Sequence, residues 1–125
     1  MGGNLKMEPK LQKFLANKYR GMFSNLSAFG FECGDGWYDL LDQLCGCIQN
    51  YCGNNKISNI TINQIKEKFG TLRFYYDGGD ELIAGMVWFA EYQSALICEG
   101  CGKPSKVYKI DGWYSTNCKK CRTKK

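Results

Sequence analysis

Four cysteines near the C-terminus constrain the fold of this chain more than any other feature. They form two Cys-x-x-Cys pairs, Cys98 with Cys101 and Cys118 with Cys121, separated by 16 residues. Two cysteines held three positions apart can direct both thiolates at one tetrahedral ion, and a second pair completes the coordination. The spacing therefore predicts one structural zinc ion per chain, bound by these four thiolates.

The segment between the two pairs predicts a β-hairpin. Residues 106–110 and 113–116 are rich in β-branched and aromatic residues, and Asp111-Gly112 is a dipeptide preferred in two-residue hairpin turns. A unit of 28 residues buries little apolar surface, so a bound metal would supply much of its folding free energy. We expect a four-cysteine zinc ribbon at this end of the chain.

Disulfides are the alternative use of these cysteines. The N-terminal segment MGGNLKMEPK does not have the pattern of a secretion signal, and no apolar run reaches the length of a membrane span. We therefore expect a protein of the reducing cytoplasm, without a membrane partner, whose cysteines are thiols or metal ligands.

Four further cysteines lie in the first half of the chain. Cys45 and Cys52, seven positions apart, fall on the apolar side of a predicted helix and are expected in the core. The competing interpretation is a second metal site made by Cys33, Cys45, Cys47 and Cys52. It is disfavoured because Cys45 and Cys47 would point about 200° apart around one helix.

The remaining sequence predicts an α+β fold in which helices pack on another β-hairpin. Helical periodicity covers residues 8–23, 37–51 and 80–97, and alternating apolar residues lie between positions 57 and 76 with a turn at Lys68-Phe69-Gly70. The apolar phase shifts between Ile62 and Ile65, which indicates a β-bulge or an early end of the first strand. We expect two units: a helical and β-hairpin core in residues 1–97, and the zinc ribbon with a basic tail in residues 98–125.

The third predicted helix is apolar on nearly all sides. Ile83 and Val87 suit a side that faces the core, but Trp88 and Tyr92 belong to a second apolar side. The structural interpretation is that this second side packs on the ribbon or on other helices of the chain. The functional interpretation is a surface for a partner or for self-association, with Trp113 of the ribbon as a further candidate contact.

The net charge of +5 is distributed unevenly. Residues 98–125 contain eight basic and two acidic residues, whereas residues 1–97 contain nine basic and ten acidic ones. A basic ribbon with aromatic residues predicts, as an alternative function, phosphate contacts by lysines and base stacking by Tyr108, Trp113 or Tyr114. Its candidate cations are Lys106, Lys109, Lys119, Lys120 and Arg122. The structural alternative is that these lysines only solvate a small module.

Catalysis is not expected from this composition. The chain contains no histidine, and a zinc ion with four thiolate ligands has no open position for water or substrate. The remaining catalytic interpretations are a reactive thiol at Cys33 and a divalent-cation site formed by Asp35, Asp39, Asp77, Asp80 and Glu81. Aspartate is common in glycine turns and at helix starts for backbone reasons, which favours structural roles for these carboxylates.

Three segments occur in a characteristic order: FGFECGDGWYDLLDQLC, then QIKEKFGTLRFYYDGGD, then ICEGCGKP with GWYSTNC. In this combination the chain resembles a family of small, mostly uncharacterised proteins encoded by bacteriophages and prophages. The match covers roughly residues 22–121. The positions that carry it are 34–37, 66–70, 72–74, 77–79 and the two cysteine pairs. The resemblance transfers no catalytic residue to this chain.

The resemblance implies a phage-type accessory protein in the cytoplasm of a bacterial host. Small phage proteins without a catalytic centre often bind and inhibit a host component, such as a CRISPR effector, another defence system or the transcription apparatus. We therefore expect a non-enzymatic protein that binds a host protein or protein complex. The alternatives are a nucleic-acid-binding zinc ribbon, and a protein that sequesters or converts a small ligand such as a nucleotide.

Overall fold

The computed structural model describes residues 5–24 and 30–123. In chain order its elements are α1 (Pro9–Lys18), a one-turn 3-10 helix (Asp35–Trp37), α2 (Tyr38–Asn55), β1 (Thr61–Lys68), β2 (Thr71–Asp77), α3 (Glu81–Ser94), β3 (Tyr108–Ile110), β4 (Trp113–Ser115) and α4 (Lys119–Thr123). β1 pairs with β2 and β3 pairs with β4, both antiparallel. The α+β fold predicted from the sequence is confirmed.

Helix α1 ends five residues earlier than predicted. Pro9 lies in its first turn, where a missing N–H costs nothing, and Leu15 is its buried contact with the core. The helix ends at Lys18 because Tyr19 leaves the helical conformation, with φ −120° and ψ 48°. The Tyr19 ring is buried, and its hydroxyl donates a hydrogen bond of 3.0 Å to the backbone oxygen of Asp42 in α2.

The other two long helices also end at residues different from those predicted. α2 continues through Gly53-Asn54-Asn55, which the sequence indicates as its stop, and ends at Asn55. The next residue, Lys56, has a left-handed conformation with φ 54°. α3 begins as predicted after Asp80, whose carboxylate accepts a hydrogen bond of 3.1 Å from the backbone N–H of Ile83. It ends at Ser94, three residues early, and a turn leads from it to the ribbon.

Both hairpins close with the tight turns that the sequence predicts. Phe69 and Gly70 have φ of 54° and 88°, and Asp111 and Gly112 have φ of 52° and 83°. Two consecutive residues with positive φ define the turn whose twist matches antiparallel strands. The register of β1 on β2 shifts between residues 62 and 64, so the irregularity expected there is a β-bulge.

The free edge of β2 is covered by side chains of α3. The backbone N–H of Leu72 donates to the Ser94 hydroxyl over 2.8 Å, and the N–H of Phe74 donates to the Glu91 carboxylate over 2.9 Å. An open strand edge is a template for pairing with another chain, and these two acceptors satisfy two of the donors that it would present.

Trp37 joins the core to the ribbon. Its side chain is fully buried, and its indole N–H donates a hydrogen bond of 3.0 Å to the backbone oxygen of Ile97, one residue before the first ribbon cysteine. At the opposite end of the ribbon, the ring of Phe69 meets Tyr114 edge-on with 6.0 Å between centroids. Among the described residues, no helix combines the length and the apolar character needed to cross a membrane.

Candidate metal centre and the surfaces around it

The two cysteine pairs converge on one point. The sulfurs of Cys98, Cys101, Cys118 and Cys121 all lie within 4.8 Å of one another, and the sulfurs of Cys101 and Cys118 are 3.8 Å apart. A tetrahedral ion with metal–sulfur bonds of about 2.3 Å requires sulfurs about 3.8 Å apart, so the four thiols fit a tetrahedral metal ion. Cys98 is buried and Cys101 is exposed, which places the site at the edge of the fold.

Backbone hydrogen bonds shape the first pair into a tight loop. The N–H of Gly102 donates to the oxygen of Cys98 over 2.8 Å, and the N–H of Cys98 donates to the oxygen of Lys103 over 2.8 Å. Gly102 has φ of 84°, a conformation that glycine adopts without strain. The loop is tied to the second pair because the N–H of Cys118 donates to the sulfur of Cys98 over 3.2 Å.

The second pair contains a thiol that ionises readily. A hydrogen bond from the backbone N–H of Cys121 is the largest of several that lower the pKa of Cys118, to about 6. Burial has the opposite effect on Cys121 and raises its pKa to about 12. These hydrogen bonds favour the thiolate form of Cys118, and a bound cation would favour the ionised form of all four cysteines.

Glu99, between the first two cysteines, fastens the site to the core. Its carboxylate accepts a hydrogen bond of 2.8 Å from the N–H of Gly34, and its backbone oxygen accepts one of 2.8 Å from the N–H of Gly36. Its own N–H donates to the Thr116 hydroxyl over 3.0 Å. Burial raises the pKa of Glu99 to about 7, although the bond from Gly34 opposes the shift. Sequence reasoning missed Glu99, because no periodicity connects it to the glycines.

Gly36 explains why this loop is rich in glycine. A Cβ added there would overlap the backbone oxygen of Cys98 and lie 2.6 Å from the carbonyl carbon of Glu99. The GDG motif is thus a place where two backbones touch, and a side chain at this position would push the cysteine loop away.

The other four cysteines do not form a cluster. Cys45 is fully buried and Cys52 is nearly so, as predicted for core residues. Cys33 is also fully buried, whereas Cys47 is exposed. Burial raises the pKa of Cys33 far above its usual range, with Glu99 adding a smaller effect, and raises that of Cys45 to about 12. The interpretation of Cys33 as a reactive thiol is therefore wrong, since a buried neutral thiol is a poor nucleophile.

Three of the aspartates considered as metal ligands have separate structural partners. Asp35 accepts a hydrogen bond of 2.8 Å from the backbone N–H of Glu8, and Asp77 accepts one of 3.1 Å from the side chain of Asn63. Asp80 caps α3. These carboxylates hold turns and a helix start, which is the role that their sequence context favoured.

The ribbon cations lie over aromatic rings. Lys106 and Arg122 lie 5.5 and 4.3 Å from the centre of the Tyr108 ring, and Lys109 lies 5.3 Å from that of Tyr114. Two of the three rings proposed to stack on bases therefore already carry cations. The third ring, Trp113, is 56% exposed. Lys119 and Lys120 are exposed on α4.

The second apolar side of α3 is uncovered. Trp88, Phe89 and Tyr92 are 76%, 62% and 66% exposed, and Leu82 and Leu96 are also exposed. The expectation that this side packs on the ribbon or on other helices is therefore wrong. The residues that α3 buries lie on its other side and include Ile83, Val87 and Ala90. We call the exposed set the α3 outer face.

A cleft of about 380 Å³ runs beside this face, between α2 and α3. Its apolar lining includes Leu40, Leu44 and Met86, and its rim carries Asp39 and Cys47. Phe89 contributes both to the cleft and to the α3 outer face. The two features therefore form one continuous apolar surface.

Comparison of the chain with family models, with curated proteins and with solved structures gives no match.

Proposed function

We propose that this chain is a non-enzymatic binding protein that docks a partner protein on the α3 outer face. The observation that carries the proposal is the exposure of three large aromatic side chains, Trp88, Phe89 and Tyr92, on one helix. Together they leave on the order of 400 Å² of surface uncovered. A standard protein interface buries about 800 Å² on each partner, so these rings would supply about half of one.

Gly85 supports this assignment. It lies in the middle of α3 among the outer residues, and a Cβ placed there would meet nothing within 4 Å. A glycine inside a helix costs about 0.5–1 kcal/mol relative to alanine, and no contact within residues 5–24 and 30–123 explains the choice. A partner whose backbone approaches α3 closely at this point would explain it.

The charges around the face indicate what the partner presents. α3 carries Glu81 and Glu91 and no basic residue, Asp77 and Asp80 precede it, and Asp39 lies on the cleft rim. The complementary surface is an apolar patch bordered by lysine or arginine, with a side chain that enters the cleft. A basic border would also speed encounter with this acidic end of the molecule.

In this proposal the four-cysteine site holds zinc in a structural role. The fit of the sulfurs to bonds of about 2.3 Å and the use of four thiolates match closed structural zinc sites. All four positions would be occupied by protein ligands, so the ion would hold the ribbon in place and would offer no site for substrate.

The resemblance to phage-encoded proteins supports a bacterial host component as the partner, reached in the host cytoplasm. A defence complex such as a CRISPR effector is the expected class, and inhibition by occupation of its surface is the expected mode.

The test is capture from a nuclease-treated bacterial lysate with the zinc-loaded full chain. Trp88→Ala and Gly85→Ala are compared with Phe14→Ala, which removes an exposed aromatic residue from α1. A protein retained by the wild type and by Phe14→Ala, but weakened about tenfold or more by either α3 variant, supports the proposal. Equal retention by all four proteins contradicts it. Light scattering measures the molar mass of the purified chain, and a dimer would mean that a second copy occupies the α3 outer face.

A nucleic-acid-binding ribbon remains the second candidate, favoured by the exposure of Lys119, Lys120 and the ring of Trp113. Its test is oligonucleotide binding by Trp113→Ala and Lys119→Gln. Affinity that hardly changes with salt or with these variants argues against phosphate contacts by the ribbon.

A further inference from the structure

The solvent side of the β1–β2 hairpin carries two cations directly opposite each other. Lys66 on β1 and Arg73 on β2 are paired in the ladder, so their side chains leave the same face of the sheet. Like charges in opposed positions repel and destabilise a sheet. The pair therefore lowers the stability of the hairpin, and the fold itself does not require it.

Neither cation is neutralised within the described residues. No carboxylate oxygen lies within 4.0 Å of Lys66 or Arg73, whereas Lys18 and Asp42 do form such a pair. The Nε–H of Arg73 is buried and has no hydrogen-bond acceptor among residues 5–24 and 30–123. A buried donor without an acceptor is rare and requires an explanation.

The acidic groups near this face are engaged elsewhere. The backbone of Glu32 forms a β-bridge with Lys66 at the other edge of β1. The Glu32 carboxylate accepts a hydrogen bond of 3.3 Å from the Gln64 side chain. Glu91 accepts from the backbone N–H of Phe74 on the outer edge of β2. They reduce the positive potential without providing an acceptor for Arg73.

Aromatic rings flank the cation pair along the hairpin. Tyr75 is 44% exposed and lies two positions from Arg73 on the same face of β2. At the other end, Phe69 in the turn is 63% exposed, Lys68 lies 5.6 Å from its ring centre, and the ring touches Tyr114 of the ribbon. Cations in the middle of a sheet face with exposed rings at both ends are the arrangement that holds single-stranded nucleic acid.

We propose that this face binds a phosphate group of single-stranded nucleic acid between Lys66 and Arg73, with bases against Tyr75 and Phe69. The Arg73 guanidinium would donate N–H groups to a phosphate oxygen, and the anion would remove the repulsion between the two cations. The site is separate from the α3 outer face and uses none of the ribbon lysines, so it stands independently of the proposed function.

The test measures binding of a labelled single-stranded oligonucleotide of about 12 nucleotides to the zinc-loaded full chain by fluorescence anisotropy. Lys66→Gln and Arg73→Gln are compared with Lys13→Gln, which removes the same charge from an exposed position on α1. At about 50 mM KCl, each hairpin variant is expected to weaken binding about fivefold or more and to lower the salt slope by about one, while Lys13→Gln changes little.

Other outcomes overturn the proposal. They are no binding by the wild type, equal effects of Lys13→Gln and Lys66→Gln, and a loss seen only with Lys119→Gln, which would place the site on the ribbon. Lys66→Gln removes a repulsion and is expected to keep or raise the melting temperature, so it tests the site even where Arg73→Gln does not fold. Competition by inorganic phosphate and pyrophosphate at matched ionic strength distinguishes a backbone phosphate from a free one. Free phosphate that binds through Lys66 and Arg73 without oligonucleotide binding would contradict the nucleic-acid assignment.

Discussion

The carboxylate of Glu99 accepts a hydrogen bond of 2.8 Å from the backbone N–H of Gly34, 65 positions earlier in the chain. Glu99 lies between two of the clustered cysteines, so the conformation of the metal loop and that of the glycine loop depend on each other. The bond from Gly36 to the backbone oxygen of Glu99 adds a second tie at the same place. We therefore expect changes at the cysteine cluster to alter the conformation of the chain at the start of α2.

Replacement of Cys98 by Ser is expected to release the metal and to unfold the ribbon. Cys98 is the buried member of the cysteine cluster and its sulfur also accepts the N–H of Cys118, so the variant loses one thiolate for the ion and one hydrogen bond of the loop. We expect elemental analysis to give one zinc per wild-type chain and far less in the variant, with a melting temperature lower by roughly 10 °C or more. Cys47→Ser, which changes an exposed thiol outside the cluster, should keep both values. Stoichiometric zinc in Cys98→Ser would show that the cluster is not the metal site.

Gly36→Ala is expected to destabilise the protein by about 2–3 kcal/mol, because its methyl group would overlap the backbone of residues 98 and 99. Gly53→Ala in α2 is the matched control, since nothing lies within 4 Å of its Cβ position. It should stabilise the helix by about 0.5–1 kcal/mol. Urea denaturation of both variants measures the difference. Equal stability of the two would mean that the cysteine loop moves freely against the glycine loop.

Asp42→Asn is expected to lower the free energy of unfolding by about 1–2 kcal/mol at pH 7, because it weakens the bonds that join α1 to α2. The Tyr19 hydroxyl, followed by the Lys18 ammonium 3.0 Å away, lowers the pKa of Asp42 below its usual value. A carboxyl group with a lowered pKa in the folded state stabilises the protein above its unfolded pKa of about 3.9, and this stability is lost as the pH falls through the folded value.

The difference in stability between wild type and Asp42→Asn should therefore be constant near neutral pH and shrink below about pH 4. Acid also protonates the cysteines, but it does so in both proteins, so the difference rather than either stability is the quantity to follow. A difference that is unchanged at low pH would mean that the charge of Asp42 contributes nothing.

Ser94→Ala is expected to cost about 1–3 kcal/mol, because the buried N–H of Leu72 loses its acceptor. Gln93→Ala, one position earlier on the cleft side of α3, should change stability by less than about 0.5 kcal/mol. Denaturant unfolding measures the cost, and size-exclusion chromatography after mild heating should show more association for Ser94→Ala. A neutral Ser94→Ala would mean that water replaces the hydroxyl at the strand edge.

Local sequence patterns account for much of this fold. The Cys-x-x-Cys spacing, the Asp111-Gly112 turn and the Asp80 cap depend on residues within a few positions of one another, and all are present in the structure. The β-bulge is likewise visible as a shift in the apolar phase. These features follow from backbone geometry, which neighbouring residues determine.

The features that the sequence did not reveal depend on contacts between distant segments. No local sequence pattern indicates that Glu99 contacts Gly34, or that Tyr19 leaves the helical conformation and donates a hydrogen bond to Asp42. The outer side of α3 was expected to pack inside the chain because Trp88 is apolar, but composition cannot show which apolar face the tertiary fold leaves open. The same limit hid the opposition of Lys66 and Arg73, which appears only once the strand register is known.

The attachment of α3 to the edge of β2 determines how another molecule can use this helix. Ser94 and Glu91 accept hydrogen bonds from the edge of β2. Separation of α3 from β2 would therefore expose these backbone donors and favour pairing with another chain. Strand addition by a peptide at that edge is disfavoured, since the N–H groups of Leu72 and Phe74 already have acceptors. Recognition at α3 is therefore expected to proceed by docking onto a preformed helix, with little ordering entropy to overcome and little change of shape in the bound state.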